Sequence, residues 1–132
     1  MLNGSCLCGK VAYQLTGTPI AMYYCHCSTC RKANGSSFAT NMMVRSEDFS
    51  FVSGQDLLSS FESSPDKRRY FCSACGSPIY SQAEQSKHMV SVRCGTLDED
   101  PAVRPSAHIY VASKAPWFEF CDALPQRPDA LT

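Results

Sequence analysis

Seven of the nine cysteines in this 132-residue chain fall into three tight clusters, Cys6-Leu7-Cys8, Cys25-His26-Cys27-Ser28-Thr29-Cys30 and Cys72-Ser73-Ala74-Cys75, and that spacing restricts what the chain can fold into. The count is odd, and the opening MLNGSCLCGK has no basic stretch leading into an apolar run, so a secreted disulfide framework is disfavoured. Chelation is the better reading, because short loops bring two thiolates to one zinc ion, at about 2.3 Å each, with little closure entropy. Gly9 and Gly76 follow the second sulfur of the first and third clusters. A turn there takes positive φ and aims backbone N–H groups at the thiolates, the form of a zinc knuckle. A thioredoxin-like reading of Cys72 and Cys75 needs the motif to open a helix, whereas Pro78 and the strand-like Ile79-Tyr80-Ser81 follow it.

Two knuckles make one closed four-sulfur site, so Cys6, Cys8, Cys72 and Cys75 are paired around a structural ion, and Cys25, Cys27 and Cys30 remain as a set of three. Alternate positions of a regular strand lie about 7 Å apart, which predicts that both C-x-C pairs sit on turns. Three protein ligands leave a coordination position for water or substrate, as in catalytic zinc sites. The competing reading is a closed site completed by His26, Cys94 or Cys121, with His26 the poorest candidate because it lies between two ligands on one tight turn. Three thiolates give the ion a net charge of about minus one, so it polarises water less than a histidine-rich site and suits a soft ligand. A thiol substrate held as thiolate at neutral pH, reacting at a carbon–sulfur bond, follows from that donor set.

Charge sets limits on partners. Twelve Lys and Arg balance twelve Asp and Glu, and seven thiolates with two zinc ions would make the assembly negative, so nucleic acid is disfavoured as a partner. No apolar run approaches a membrane span, and the expected location is cytoplasmic. The patterning predicts an all-β fold: strands over Lys10–Leu15, Phe38–Val44, Phe49–Val52, His88–Arg93 and Ala107–Val111, and a hairpin of Leu57–Phe61 with Arg69–Phe71 across Ser63-Ser64-Pro65-Asp66. Arg31 to Gly35 reads as a polar turn or single helical turn, and Lys67-Arg68-Arg69 as charges on a solvated turn. One zinc-binding domain is expected over residues 1–124, with a C-terminal tail, 125–132, that frays.

Four stretches coincide with one family pattern: Gly4-Ser5-Cys6-Leu7-Cys8-Gly9-Lys10-Val11, Cys25-His26-Cys27-Ser28-Thr29-Cys30-Arg31-Lys32, Phe71-Cys72-Ser73-Ala74-Cys75-Gly76-Ser77-Pro78 and Gly95-Thr96-Leu97-Asp98. The chain resembles the glutathione-dependent formaldehyde-activating enzyme (GFA) family, also called the centromere protein V/GFA domain, from about residue 3 to residue 118. The resemblance implies an antiparallel β-tent with two zinc ions. The structural ion maps onto Cys6, Cys8, Cys72 and Cys75, and the catalytic ion onto Cys25, Cys27 and Cys30. It implies condensation of glutathione with formaldehyde to S-hydroxymethylglutathione, a carbon–sulfur lyase reaction run in reverse, with a small thiol–aldehyde adduct as partner and glutathione as co-substrate. Arg31 and Lys32, directly after the ligand loop, are the preferred holders of glutathione's carboxylates, ahead of Arg93. His108 reads as a satisfied interior histidine, Trp117 and Phe118 as a core plug over the sheet, and Cys94 and Cys121 as small apolar residues. The alternative function is a non-catalytic zinc-binding interaction module with the same fold. Oligomeric state is left open, a homodimer included.

Overall fold

A computed structural model describes residues 1–130. Among the described residues ten strands make two sheets. β1 (Leu2–Ser5), β2 (Ala12–Leu15) and β5 (Phe49–Ser53) form the smaller, in that order. The larger runs β10 (His108–Ile109), β3 (Ala21–Cys25), β4 (Ala39–Arg45), β9 (Met89–Arg93), β8 (Pro78–Ala83), β7 (Lys67–Cys72) and β6 (Leu58–Ser64). Neighbouring strands are antiparallel except β10, which lies parallel to β3. The mainly β, antiparallel, single-domain architecture agrees with the sequence reading. β1 was not foreseen, and the last strand stops at Ile109 because Tyr110 turns to φ 55.

Parity along the strands divides the larger sheet into two faces. Side chains alternate with a period of two, and the registers pair Tyr23 with Asn41, Asn41 with Arg93, Ser91 with Ser81 and Ser81 with Arg69, odd number against odd number. Even-numbered Met42, Val44, Cys72, Val90 and Val92 face the smaller sheet, where Val11, Tyr13 and Leu15 complete the core. Met42, Val92, Val11 and Tyr13 are fully buried, and burying each aliphatic one contributes about 1.5–3 kcal/mol. Apart from Ile79, which lies in the main core beside the register shift at Tyr70 and Phe71, odd-numbered residues are left for the opposite face, which carries the sulfur trio.

The 6–7 hairpin turns at Pro65-Asp66, with Asp66 at φ 61, and delivers Cys72 at the end of β7. Residues 31 to 34 belong to a full short helix, α1 (Ser28–Asn34), which Gly35 ends in the left-handed conformation at φ 63. The expected fraying from residue 125 is not observed through Asp129. His108 N–H donates to the Pro125 carbonyl, Arg127 N–H to His108, Val111 N–H to Arg127 and Tyr110 N–H to Asp129. The sequence offers no period there, because the segment is held by these backbone bonds to β10 rather than by an apolar stripe. Residues 131 and 132 of that tail lie outside the described residues. Among the described residues no helix is long and apolar enough to cross a membrane.

Candidate metal centres and cavity

The cysteine clusters assemble as the spacing requires. The sulfurs of Cys6, Cys8, Cys72 and Cys75 lie within 4.8 Å of one another, as do those of Cys25, Cys27 and Cys30, and all nine cysteines are free of disulfides. A tetrahedral zinc ion with bonds of about 2.3 Å sets its sulfurs about 3.8 Å apart. The observed separations are 3.5 Å for Cys6 and Cys8, 3.9 Å for Cys8 and Cys72, and 3.5 Å for Cys25 and Cys27. Both sets therefore fit zinc by spacing and by donor type. Backbone amides reinforce them: Val11 N–H donates to Cys6 Sγ at 3.3 Å and Cys30 N–H to Cys27 Sγ at 3.2 Å. Gly9 and Gly76 take φ of 79° and 81°, the conformation expected after each knuckle.

The quartet links the sheets. Cys6 and Cys8 stand between β1 and β2, Cys72 ends β7 and Cys75 follows it, so one ion there would tie the smaller sheet to the larger. The trio is local. Cys25 closes β3, Cys27 caps α1 with extended φ and ψ of −62° and 149°, and Cys30 lies one helical turn on. Cys25 is thus a strand residue, and the chain leaves the strand only at His26, which is enough to bring the two sulfurs together.

Among the described residues no fourth His, Cys, Asp or Glu donor joins the trio within that 4.8 Å limit. Cys94 packs at the edge of the main core and Cys121 is exposed, so neither is brought to it. His26 is fully buried but turned away, as the second position of a C-x-C must be when both cysteines share a face. Its Nε2 meets His108 Nδ1 at 2.8 Å, and His108 Nε2 lies 3.0 Å from an Asp122 carboxylate oxygen. With Asp122 accepting, the His108 proton sits on Nε2, His108 Nδ1 accepts from His26 Nε2–H, and His26 Nδ1 is left as a bare lone pair without a partner among the described residues. Burial pushes the His26 pKa down to about 4, with His108, Lys114 and Arg31 adding to the effect. Tyr24, Phe38, Phe118 and Phe120 surround the two imidazoles at centroid distances of 4.6–5.4 Å. His108 is the satisfied interior histidine expected of it, and Phe118 joins this aromatic packing. Trp117 does not plug the core: it is 69% exposed, its Nε1–H donating to Ser37 Oγ at 3.0 Å.

The trio opens into a cavity of about 540 Å³ on the odd-numbered face, lined by Tyr23, Asn41 and Met43 on one side and by Lys67, Arg69 and Ser81 on the other. Asn41 is buried, and its Oδ1 has no partner among the described residues. Both terminal nitrogens of Arg69 lie 3.7 Å from Cys30 Sγ, and its Nε–H donates to Ser63 Oγ at 2.9 Å. Hydrogen bonds from Cys25 and Cys27, then the nearby Arg69 and Arg93 cations, pull the Cys30 thiol well below its ordinary pKa, while the same sulfur contacts push Cys25 up. Arg93 is almost fully buried behind them, donating to Ser91 and Ser81.

Arg31 and Lys32 sit on the last turn of α1, where cations favour the helix end, and neither lines the cavity. The basic run read as a solvated turn supplies its cations instead. Lys67-Arg68-Arg69 opens β7, and the strand period sends Lys67 and Arg69 inward and Arg68 outward to Ser60. The alternation was available in the sequence, but only the pairing of β7 with β8 shows which face meets the trio.

A model of the family described as glutathione-dependent formaldehyde-activating enzyme matches residues 1–113. A Halomonas elongata protein that carries this enzyme's name provisionally is 29% identical over 127 residues, covering 90% of the chain and 80% of the relative. The crystal structure of a Rhodobacter sphaeroides protein, 24% identical, superposes with a TM-score of 0.62 over 78% of this chain and 91% of that one, which shows a shared fold.

Proposed function

The chain belongs to the glutathione-dependent formaldehyde-activating enzyme family, and from that premise we propose that it is a zinc-dependent carbon–sulfur lyase acting on a thiol–aldehyde adduct, S-hydroxymethylglutathione or a related glutathione conjugate. In the lyase direction the carbon–sulfur bond breaks with its electron pair remaining on sulfur, the adduct's hydroxyl loses its proton, and thiol and aldehyde leave. Condensation is the reverse, and no oxidant or reductant enters. The observation that carries this reading is the unequal division of sulfurs: a quartet linking the sheets, and a trio facing a cavity with no fourth protein donor in reach among the described residues.

Cys25, Cys27 and Cys30 hold the catalytic ion in this reading, and Cys6, Cys8, Cys72 and Cys75 the structural one. Zinc on three thiolates supplies Lewis acidity that favours a substrate sulfur as thiolate over water. Arg69, bonded to Cys30 and fixed by Ser63, places a guanidinium beside the sulfurs and offsets their negative charge. The bare carboxamide oxygen of Asn41 is an acceptor for the hydroxyl of an adduct, orienting it without taking its proton. The apolar wall of Tyr23, Met43 and Ile109 limits water around the reacting carbon. Arg31 and Lys32 keep their proposed place as carboxylate partners for the outer end of a ligand long enough to reach α1.

The test is exchange between glutathione, formaldehyde and their adduct, followed by NMR, for protein carrying two zinc ions per chain. Acceleration above the spontaneous rate, lost in Cys27→Ser, is the expected result. A two-zinc protein with no acceleration on any thiol–aldehyde adduct overturns the lyase and leaves the interaction module.

A further inference from the structure

The odd-numbered face concentrates positive charge without an acid to match it. Lys67, Arg69 and Arg93 all lie along it, and among the described residues no Asp or Glu lines the cavity. The Lys and Arg ion pairs among the described residues involve Arg45, Lys87 and Arg104, none of them these three. Buried or half-buried cations are ordinarily paired, because desolvation without a counter-charge is costly. Three thiolates on a divalent ion would supply a single net negative charge, so about two positive charges stay uncompensated among the described residues.

The three cations are not equally engaged. Arg69 directs its fork at Cys30 and its Nε–H at Ser63. Arg93 is committed to Ser91 and Ser81. Lys67 Nζ alone has no acceptor among the described residues, although the side chain is half-buried at the start of β7. Burial, with Arg69 adding, pushes its pKa down, the mark of an ammonium short of counter-charge. An ammonium with three donors and no acceptor among the described residues, lining the same cavity as the sulfur trio, is a place for the acid group of a ligand whose sulfur reaches that trio.

We infer that Lys67 is a specificity-determining residue that holds a carboxylate of the substrate, so that the cavity selects thiols and thiol adducts bearing an acidic group over neutral ones. The inference rests on the reading of the trio as a thiol site, and it names a substrate class, acid-bearing thiols, that reaches beyond glutathione.

The experiment compares 3-mercaptopropionate with its uncharged amide, a pair with the same thiol and chain length, titrated calorimetrically into the zinc-loaded protein. The acid is expected to bind about tenfold more tightly or better, the worth of one charge-assisted hydrogen bond. Lys67→Met brings the ratio to within about threefold, Lys67→Arg retains most of it, and Arg68→Met, on the outward face of the same strand, leaves it unchanged. Zinc content of two per chain certifies each variant, and Lys67→Gln serves if the methionine variant fails to hold its metal. Equal affinity for acid and amide in the native protein overturns the inference, as does a preference that survives loss of the Lys67 charge. Because the readout is binding, a protein that prefers the acid yet catalyses no adduct exchange sinks the lyase alone, whereas adduct exchange without acid preference sinks this inference alone.

Discussion

Replacing one cysteine in each sulfur set should have opposite consequences, and the difference can be worked from chain length and burial. Cys8 and Cys72 lie 64 residues apart, and a cross-link closing a loop of that size constrains the unfolded chain by about 4 kcal/mol. Cys72 is also fully buried at the end of β7, so Cys72→Ser leaves a hydroxyl in the core at a further cost of about 1–3 kcal/mol. The sum, about 5–7 kcal/mol, approaches the whole stability of an ordinary domain, about 5–15 kcal/mol. The trio closes only the short 25–30 loop, worth about 2 kcal/mol on the same scale, and Cys27 is half-exposed. Zinc content by mass spectrometry and urea unfolding followed by circular dichroism separate the two. Cys27→Ser should retain one zinc per chain and lose about 1 M or less in midpoint, whereas Cys72→Ser should be largely unfolded without urea or lose at least about 2 M. A Cys72→Ser protein with a native midpoint, or a Cys27→Ser protein that unfolds, would refute the assignment of scaffold to the quartet and chemistry to the trio.

Two further substitutions test the packing around these sets. The His108 contact and the Leu124 N–H hold the Asp122 carboxyl below its ordinary pKa, so its contribution is present above the unfolded value of about 4 and is lost as pH falls through the lower folded value. Asp122→Asn should therefore lower the melting temperature by about 2–6 °C at pH 7, with the gap to the native protein closing below about pH 4, and a gap independent of pH would show that the carboxylate charge is not involved. Gly4→Ala builds a Cβ into the ring of Tyr13, which is fully buried and fixed by a 2.7 Å hydrogen bond to Thr96. It should cost about 1–3 kcal/mol in chemical denaturation, and a neutral result would mean that β1 can shift off β2.

The grouping of the sulfurs was legible in the sequence because chelation is a local constraint: two sulfurs that could share one ion need short spacing, and spacing is written along the chain. The choice of partners for Cys6 and Cys8 was recoverable by counting to four. Lys67 and Arg69 were not, because their direction depends on Lys67 pairing with Ala83 and Arg69 with Ser81, a register fixed only when β7 meets β8. The same limit hid the His26, His108 and Asp122 chain. His26 and His108 are 82 positions apart, joined by a parallel pairing of β10 with β3 that no hairpin signal announces. The plug assigned to Trp117 failed because an apolar residue near a strand says nothing about which side of the chain turns outward.

The position of His26 shows what holds the loop from Cys25 to Cys30 in place. The chain leaves β3 at His26, which brings both sulfurs to the cavity and turns the imidazole away from it, while His26 N–H donates to the Ile109 carbonyl. The ring is held there by His108, and His108 by Asp122, which lies beyond the residues that the family model covers. Phe120, from the same segment, packs edge-on against His108 at 4.6 Å. The ligand loop is therefore braced from behind by residues 118–122, and the backbone bonds of 125–129 to β10 keep that segment in place. A trio that offers an ion only three protein donors would depend more than a quartet on such support, since the hydrogen bonds and packing behind the donors fix the direction in which they point. The C-terminal stretch, whose Cys121 lies outside both sulfur groups, thus supports the trio as the contact between the two sheets supports the quartet.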